Sequence, residues 1–325
     1  MFPPHGVVWS ACMPSLFIDE FVGISNRRET LPLAFAIQKA FGHSITLDWH
    51  ELDSFAVAGT QRGRVGLRAR VGAVRVRECE RALFDTLAKR KIILRSLDGP
   101  GELLDPIYLE TARRLQLSPE LATAIRRTFE AVKGRPVVGV HVRRGDYYLQ
   151  DPECYLTEWV WPAVPEWWYA LTMQAIRRAN PDVVFFLASS GDPKTLGNLY
   201  DGLEIITLDA ASPYAYKHDD HASAVHPVAD LFALACCPVM LATPLSGYSH
   251  WAANALGEPT DCIVPLSGAT RANPSSGLVQ IYGSRLPRWR EAGRTGANTV
   301  PLDANLSAVD FSRSANTDWL PVWPA

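Results

Sequence analysis

The chain has 325 residues, 47% of them hydrophobic and 20% charged, with a formal net charge of −2. That length allows two domains with sizeable cores. The balanced charge supplies no global basic field for nucleic acid or anionic lipid, so any cationic cluster acts locally. Six cysteines without a C-x-x-C pair match no disulfide framework and suit a reduced, cytoplasmic setting. No stretch reaches the ~18 apolar residues of a membrane span. The N-terminus lacks a basic region followed by an apolar core, so neither an export signal nor a spanning anchor is expected.

Phe21 to Arg28 reads as a loop, with Gly23, Ser25 and Asn26 as turn residues. Thr30 is placed to cap the following helix, with Pro32 in its first turn. Leu33, Phe35, Ala36, Ile37 and Ala40 give that helix an apolar face, and Gly42 stops it. Ser44 to Trp49 reads as a strand, so the chain begins as an α/β unit. From Gln61 to Val76 arginines alternate with Gly and Val, which fits an exposed strand pair or a mobile loop. A helix is expected over 81–90 and a strand over 92–97. Ser118 caps a helix that runs to about Val132. Lys133 to Pro136 ends it, and the domain junction falls there, dividing 1–134 from 135–325.

The second half alternates. Strands are expected near 137–142, 183–188, 204–208, 238–242 and 262–265, with helices near 166–179, 193–201, 227–236 and 247–256. That order predicts a parallel sheet with crossover helices. The tail from Ser267 is rich in Gly, Pro, Ser, Asn and Arg, and either wraps back onto the first domain or is partly disordered.

The most informative stretch is Val137 to Asp146. Val137 to Val142 is apolar and β-branched apart from Gly139 and His141, as in a strand covered on both faces. It ends in Arg143 and Arg144, followed by Gly145 and Asp146. Open α/β sheets bind ligands at the carboxyl ends of their strands. Two guanidinium groups there suit a phosphate or diphosphate, which they bond bidentately. The competing explanation is that both arginines make structural ion pairs; in the ligand reading, one arginine reaches a phosphate while the other packs or pairs with an acid such as Asp146. Arg144-Gly145-Asp146 also spells the integrin-adhesion tripeptide, but that requires an exposed extracellular tip.

Thr243 to Trp251 places hydroxyl residues and Gly247 at a strand-to-helix turn, where free backbone N–H groups make an anion site; plain capping by Ser246 is the alternative. Ser189 to Pro193 follows another strand, and Asp192 is either a helix cap or a ligand contact. Asp230 opens a helical run, as a helix-end charge or as a carboxylate accepting two hydrogen bonds from guanine. His218, Asp219, Asp220, His221 and His226 follow no metal-ligand spacing and read as a solvated loop. No D-x-D pair sits beside an apolar strand, and the glycines form neither G-x-G-x-x-G nor a Walker A loop, which argues against NAD and ATP. Trp159, Trp161, Trp167 and Trp168 follow the arginines; aromatic faces pack on sugar rings, although Trp167 and Trp168 read as the start of a core helix.

The run His141-x-Arg143-Arg144-x-Asp146 resembles the signature of the GDP-fucose-dependent fucosyltransferases, including the bacterial α1,2 and α1,6 enzymes. Gly23 to Asn26, the helix after it and Ile45 to Trp49 resemble that family's glycine loop, helix and L-D-W strand. Thr243 to Trp251, with Asp230 upstream, resembles its Ser-rich turn. Here the loop lacks the family's second glycine, and Ser190-Gly191-Asp192 stands where the family has S-D-D. The resemblance implies an α/β fold of GT-B type: two Rossmann-like domains facing across a cleft, an acceptor-side domain over 1–134 and a nucleotide-sugar domain over 135–325. It implies an inverting reaction with no metal and no cofactor, GDP-fucose being the donor substrate and a glycan or glycolipid the acceptor. By carry-over His141 and Asp230 contact guanine, and Arg143 or Arg144 meets the β-phosphate. Ser246, Tyr248 and Ser249 hold the diphosphate or stack on the nucleotide, with Gly23, Asn26 and Asp192 also on the donor. Asp146, Asp151 and Glu153 are candidates for the base. The alternatives are a binding relative without turnover and a transferase using another nucleotide sugar.

Overall fold

Two sheets organise the chain, which is seen in a computed structural model describing residues 14–144, 147–158, 161–189, 202–208, 227–279 and 299–323. The first half runs β1 (Ser15–Asp19), α1 (Ile24–Glu29), α2 (Leu31–Phe41), β2 (Ser44–Asp48), β3 (Phe55–Val57), β4 (Gln61–Arg62) and α3 (Leu67–Arg70). Next come β5 (Val74–Val76), α4 (Arg81–Phe84), β6 (Ile92–Leu94), α5 (Gly101–Leu104), α6 (Tyr108–Ala112), β7 (Leu115–Leu117) and α7 (Pro119–Glu130). The second half begins with β8 (Val137–Val142), β9 (Cys154–Tyr155), α8 (Glu166–Ala179), β10 (Val184–Ser189), β11 (Ile205–Ile206) and α9 (Pro227–Ala235). It ends with β12 (Val239–Leu241), α10 (Gly247–Asn254), β13 (Asp261–Pro265), β14 (Ala269–Thr270), β15 (Ser276–Val279) and β16 (Thr299–Pro301).

The first sheet is five-stranded, β4-β2-β1-β6-β5, and parallel throughout. The second has seven strands, β11-β10-β8-β12-β13-β15-β16; it is parallel from β11 to β13 and antiparallel at β15 and β16. These two antiparallel strands come from the tail, whose Gly and Ser content hides any strand period. The C-terminal end then wraps back: Leu117 N donates to Pro321 O (2.7 Å) and Trp323 N to Leu117 O (3.0 Å). Gly257 makes room for that return. Its φ is +55°, and a Cβ there would stand 2.6 Å from the Trp319 ring, which stacks on Phe232.

Strand β8 is central in its sheet and buried along its whole length. Its side chains alternate across the sheet. Val138, Val140 and Val142 pack with Trp168, Met173 and Phe185, which settles Trp167 and Trp168 as core residues of α8. Each such apolar side chain contributes about 1.5–3 kcal/mol. On the other face Gly139 meets α9, where a Cβ would lie 3.1 Å from Leu234 and 3.2 Å from Cys237. That close approach seats α9 and, beside it, α10 over the end of β8.

The segment 24–29, read from the sequence as loop, is helical. Arg27 and Arg28 turn inward, at 0% and 1% exposure. Arg27 forms a fork on Glu51 (3.0 and 2.5 Å) and lies over Trp49. Arg28 lies 4.8 Å over the ring of Trp251 on α10. Glu29 accepts from Tyr108 Oη (3.1 Å) and from Trp251 Nε1, so α1 is tied directly to α10. Thr30 sits at the start of α2 but does not cap it; its hydroxyl donates to Arg27 O (2.6 Å). The helix expected over 81–90 closes after one turn, at Phe84.

Candidate active site

The carboxyl end of β8 meets the turn between β12 and α10, and hydroxyl groups lock the two together. Thr243 Oγ1 donates to His141 O (2.9 Å) and accepts from Arg143 N (3.0 Å). Tyr169 Oη, on α8, donates to the same carbonyl (2.9 Å). The two hydroxyls also meet each other (3.0 Å), so the backbone before Arg143 is held by a single hydroxyl pair. Leu245, inside the turn, has φ +62°, a left-handed conformation that costs a side-chain-bearing residue about 1 kcal/mol and clusters at functional turns.

His141 is 3% exposed. Its Nδ1 bonds Ser249 Oγ (2.7 Å) and its ring stacks on Tyr248 at 4.9 Å. Burial, with Arg143 nearby, pushes its pKa down to about 3. The imidazole is therefore neutral and serves as a hydrogen-bonding edge; among the described residues Nε2 has no hydrogen-bond partner. Ser246 occupies the position before α10, but its side chain makes no capping hydrogen bond. Ser249 is 1% exposed and orients His141. Asp230, in the first turn of α9, is buried, and burial raises its carboxyl well above the usual range.

The arginines diverge. Arg144 pairs with Glu166 at the start of α8. Arg143 is half-buried, and its guanidinium lies 5.7 Å over the Tyr147 ring. Asp151 is half-buried and accepts from Glu153 N (2.8 Å), whereas Glu153 itself is exposed and pairs with Arg271 (3.2 Å). Asp146, Asp192 and the loop around His218 to His226 lie outside the described residues. Gly23 and Asn26 are exposed at the start of α1; a Cβ at Gly23 would meet nothing within 4 Å, so the side-chain-free backbone is not required there.

The sequence thus places His141, Arg143, Thr243, Tyr248 and Ser249 in one cluster. It gives no sign of Glu166 or Tyr169, which are far from the motif in the chain and meet it only through the packing of α8. A separate cleft of about 700 Å³ lies beyond the carboxyl ends of β5 and β6, lined by Phe21, Arg81 and Arg95 among others. There Arg95 pairs with Asp19 (2.6 Å) and Arg81 with Asp85 (3.1 Å). Among the described residues no helix is long and apolar enough to cross a membrane.

The buried histidines predict acid lability. His250, like His141, is pushed down by burial, to about 4. Both stay neutral in the folded state, while the unfolded chain takes up protons below about pH 6.5. Their stabilisation is therefore complete above pH ~6.5 and is lost on acidification toward their folded values, at about 1.4 kcal/mol per pH unit for each. Asp230, raised instead, acts in the opposite direction, so the net loss is smaller than the two histidines alone would give. Urea unfolding at pH ~7 and ~5 measures it, and His250→Gln should flatten the difference; equal stability at both pH values refutes it.

No protein-family model matches the chain, and no curated protein matches it in sequence. Solved structures do resemble it. Arabidopsis thaliana FUT1, a mutant in complex with GDP, superposes with a TM-score of 0.51 at 11% identity, over 79% of this chain and 71% of that one. The fucosyltransferase NodZ from Bradyrhizobium gives 0.48 at 15%, over 79% and 96%. POFUT1 in complex with GDP gives 0.46 at 10%, over 77% and 98%. The chain therefore shares the mixed α/β fold of Arabidopsis FUT1.

Proposed function

We propose that the protein is an inverting fucosyltransferase that moves L-fucose from GDP-fucose to a glycan hydroxyl, with the donor held in a GT-B cleft between the two sheets. The observation that carries this reading is the cluster at the end of β8: a neutral His141 stacked on Tyr248, with Arg143 rigidly anchored beside it. A fold shared with a GDP complex supports it.

In this reading guanine lies against His141 and Asp230. The N1 and N2 donors of guanine supply the hydrogen bonds that favour an ionised Asp230. The turn before α10 and the Arg143 guanidinium hold the diphosphate. The acceptor oxygen attacks the anomeric carbon as the bond to the β-phosphate oxygen breaks on the opposite face. The electron pair leaves with GDP, whose new charge Arg143 stabilises. The proton passes to a carboxylate: Asp151 is favoured over Glu153, which is paired with Arg271, and Asp146 is the other candidate, a step worth ~10²–10⁴ in rate. Arg143, not a metal, meets the leaving charge.

Thermal unfolding with GDP, UDP, ADP and CMP tests the donor. GDP at ~100 times its Kd should add about 2.7 kcal/mol, and the others little. Stabilisation by UDP or ADP instead would redirect the assignment to another nucleotide sugar. GDP binding without transfer to any glycan would mark a non-catalytic relative.

A further inference from the structure

Tyr148, Leu149 and Trp161 are 65%, 51% and 46% exposed, although large apolar side chains elsewhere around them are buried. They form one surface. Tyr148 N donates to Trp161 O (3.0 Å), and Ala163 N donates to Tyr148 O (2.9 Å), so the two segments run side by side. The patch is continuous with the arginines: Arg143 lies over Tyr147 at 5.7 Å, and Tyr147 packs on Trp161 at the same centroid separation, 5.7 Å. The exposed indole is therefore at most two such steps from the guanidinium that the proposed function puts on the donor phosphate. One donor sugar fits in that interval.

An exposed apolar patch on a soluble chain marks a contact surface. The charges around this one select the occupant. Between Tyr147 and Trp161 the sequence has Asp151, Glu153 and Glu158 and no lysine or arginine, and of these Glu153 is paired with Arg271. The segment itself is acidic, which disfavours anionic polysaccharide and the anionic membrane surface that polybasic segments seek. An uncharged sugar suits it: the C–H face of a pyranose covers an aromatic ring, and its hydroxyls donate to carboxylates at the edge.

We infer that Tyr148 and Trp161 form the acceptor platform and that the acceptor is an uncharged oligosaccharide. This rests on the proposed glycosyl transfer, and the experiment separates the two. Trp161→Ala and Tyr148→Ala, in the full chain, are titrated by calorimetry with GDP and with neutral oligomers of N-acetylglucosamine, glucose and galactose. Transfer kinetics are then measured with any oligomer bound.

The expected result is unchanged GDP affinity and donor KM, with oligomer Kd and acceptor KM raised about tenfold or more. Oligomer affinity equal to the wild type in both variants overturns the platform, as does a wild type that binds none of the oligomers. Wild-type binding to phosphatidylserine vesicles, lost in Trp161→Ala, overturns it in favour of a membrane contact. If the wild type binds oligomers through these residues yet never binds GDP, the platform stands and the donor assignment falls.

Discussion

Arg143→Ala is expected to lower fucosyl transfer about 10²–10³-fold while the protein stays folded. In the proposed reaction, the stabilisation removed is the one that grows as the anomeric bond breaks and charge collects on the leaving diphosphate. The main chain at 143 should hold its place, because its N–H donates to Thr243 and the neighbouring carbonyl is held by Thr243 and Tyr169. Arg143→Lys keeps the charge but loses the planar fork, so its rate should fall between the two. Arg144→Ala should cost less, since that guanidinium pairs with Glu166. Single-turnover rates at saturating donor, with circular dichroism to check folding, measure all three. A wild-type rate in Arg143→Ala would remove the electrostatic role.

The largest loss of stability is expected far from that site. Glu51→Ala takes from the fully buried Arg27 its close carboxylate and leaves only Glu20, at 3.9 Å; breaking a buried pair costs about 3–5 kcal/mol, and the second acid puts this one toward the lower end. Trp49 over the guanidinium and the Arg27 Nε bond to Val22 O cannot replace the lost charge, and Glu20 is shared with His50. Removing both charges together, as Arg27→Met with Glu51→Leu, should be close to neutral, because no uncompensated ion remains. Urea unfolding of the single and double variants decides the matter: a double variant as unstable as Glu51→Ala would show that packing, not charge, is what the pair contributes.

Those two sites differ in how far the sequence reveals them. β8 and its arginines are legible because a strand buried on both faces must be largely apolar, and four valines broken only by Gly139 and His141, ending in two charges, leave little choice. Ser118 is legible because capping is local, and its hydroxyl does accept from Leu121 N (3.2 Å). Helix α1 is not. Gly23, Ser25 and Asn26 signal a turn, and what keeps the segment helical is the burial of Arg27 against Glu51 and of Arg28 against Trp251, partners distant in sequence. The sequence puts Asp230 at the opening of a helix, and the helix does begin just before it, at Pro227. That burial would hold the carboxyl high is a tertiary effect that no spacing rule contains.

The return of the C-terminal end has a consequence for how the chain is completed. Leu117 donates to Pro321 and accepts from Trp323, in parallel register, while β3 flanks it on the other side. A strand laid down early in the chain thus gains its second neighbour only when the last described residues arrive, and the edge of the first half is the part of the molecule that is finished last.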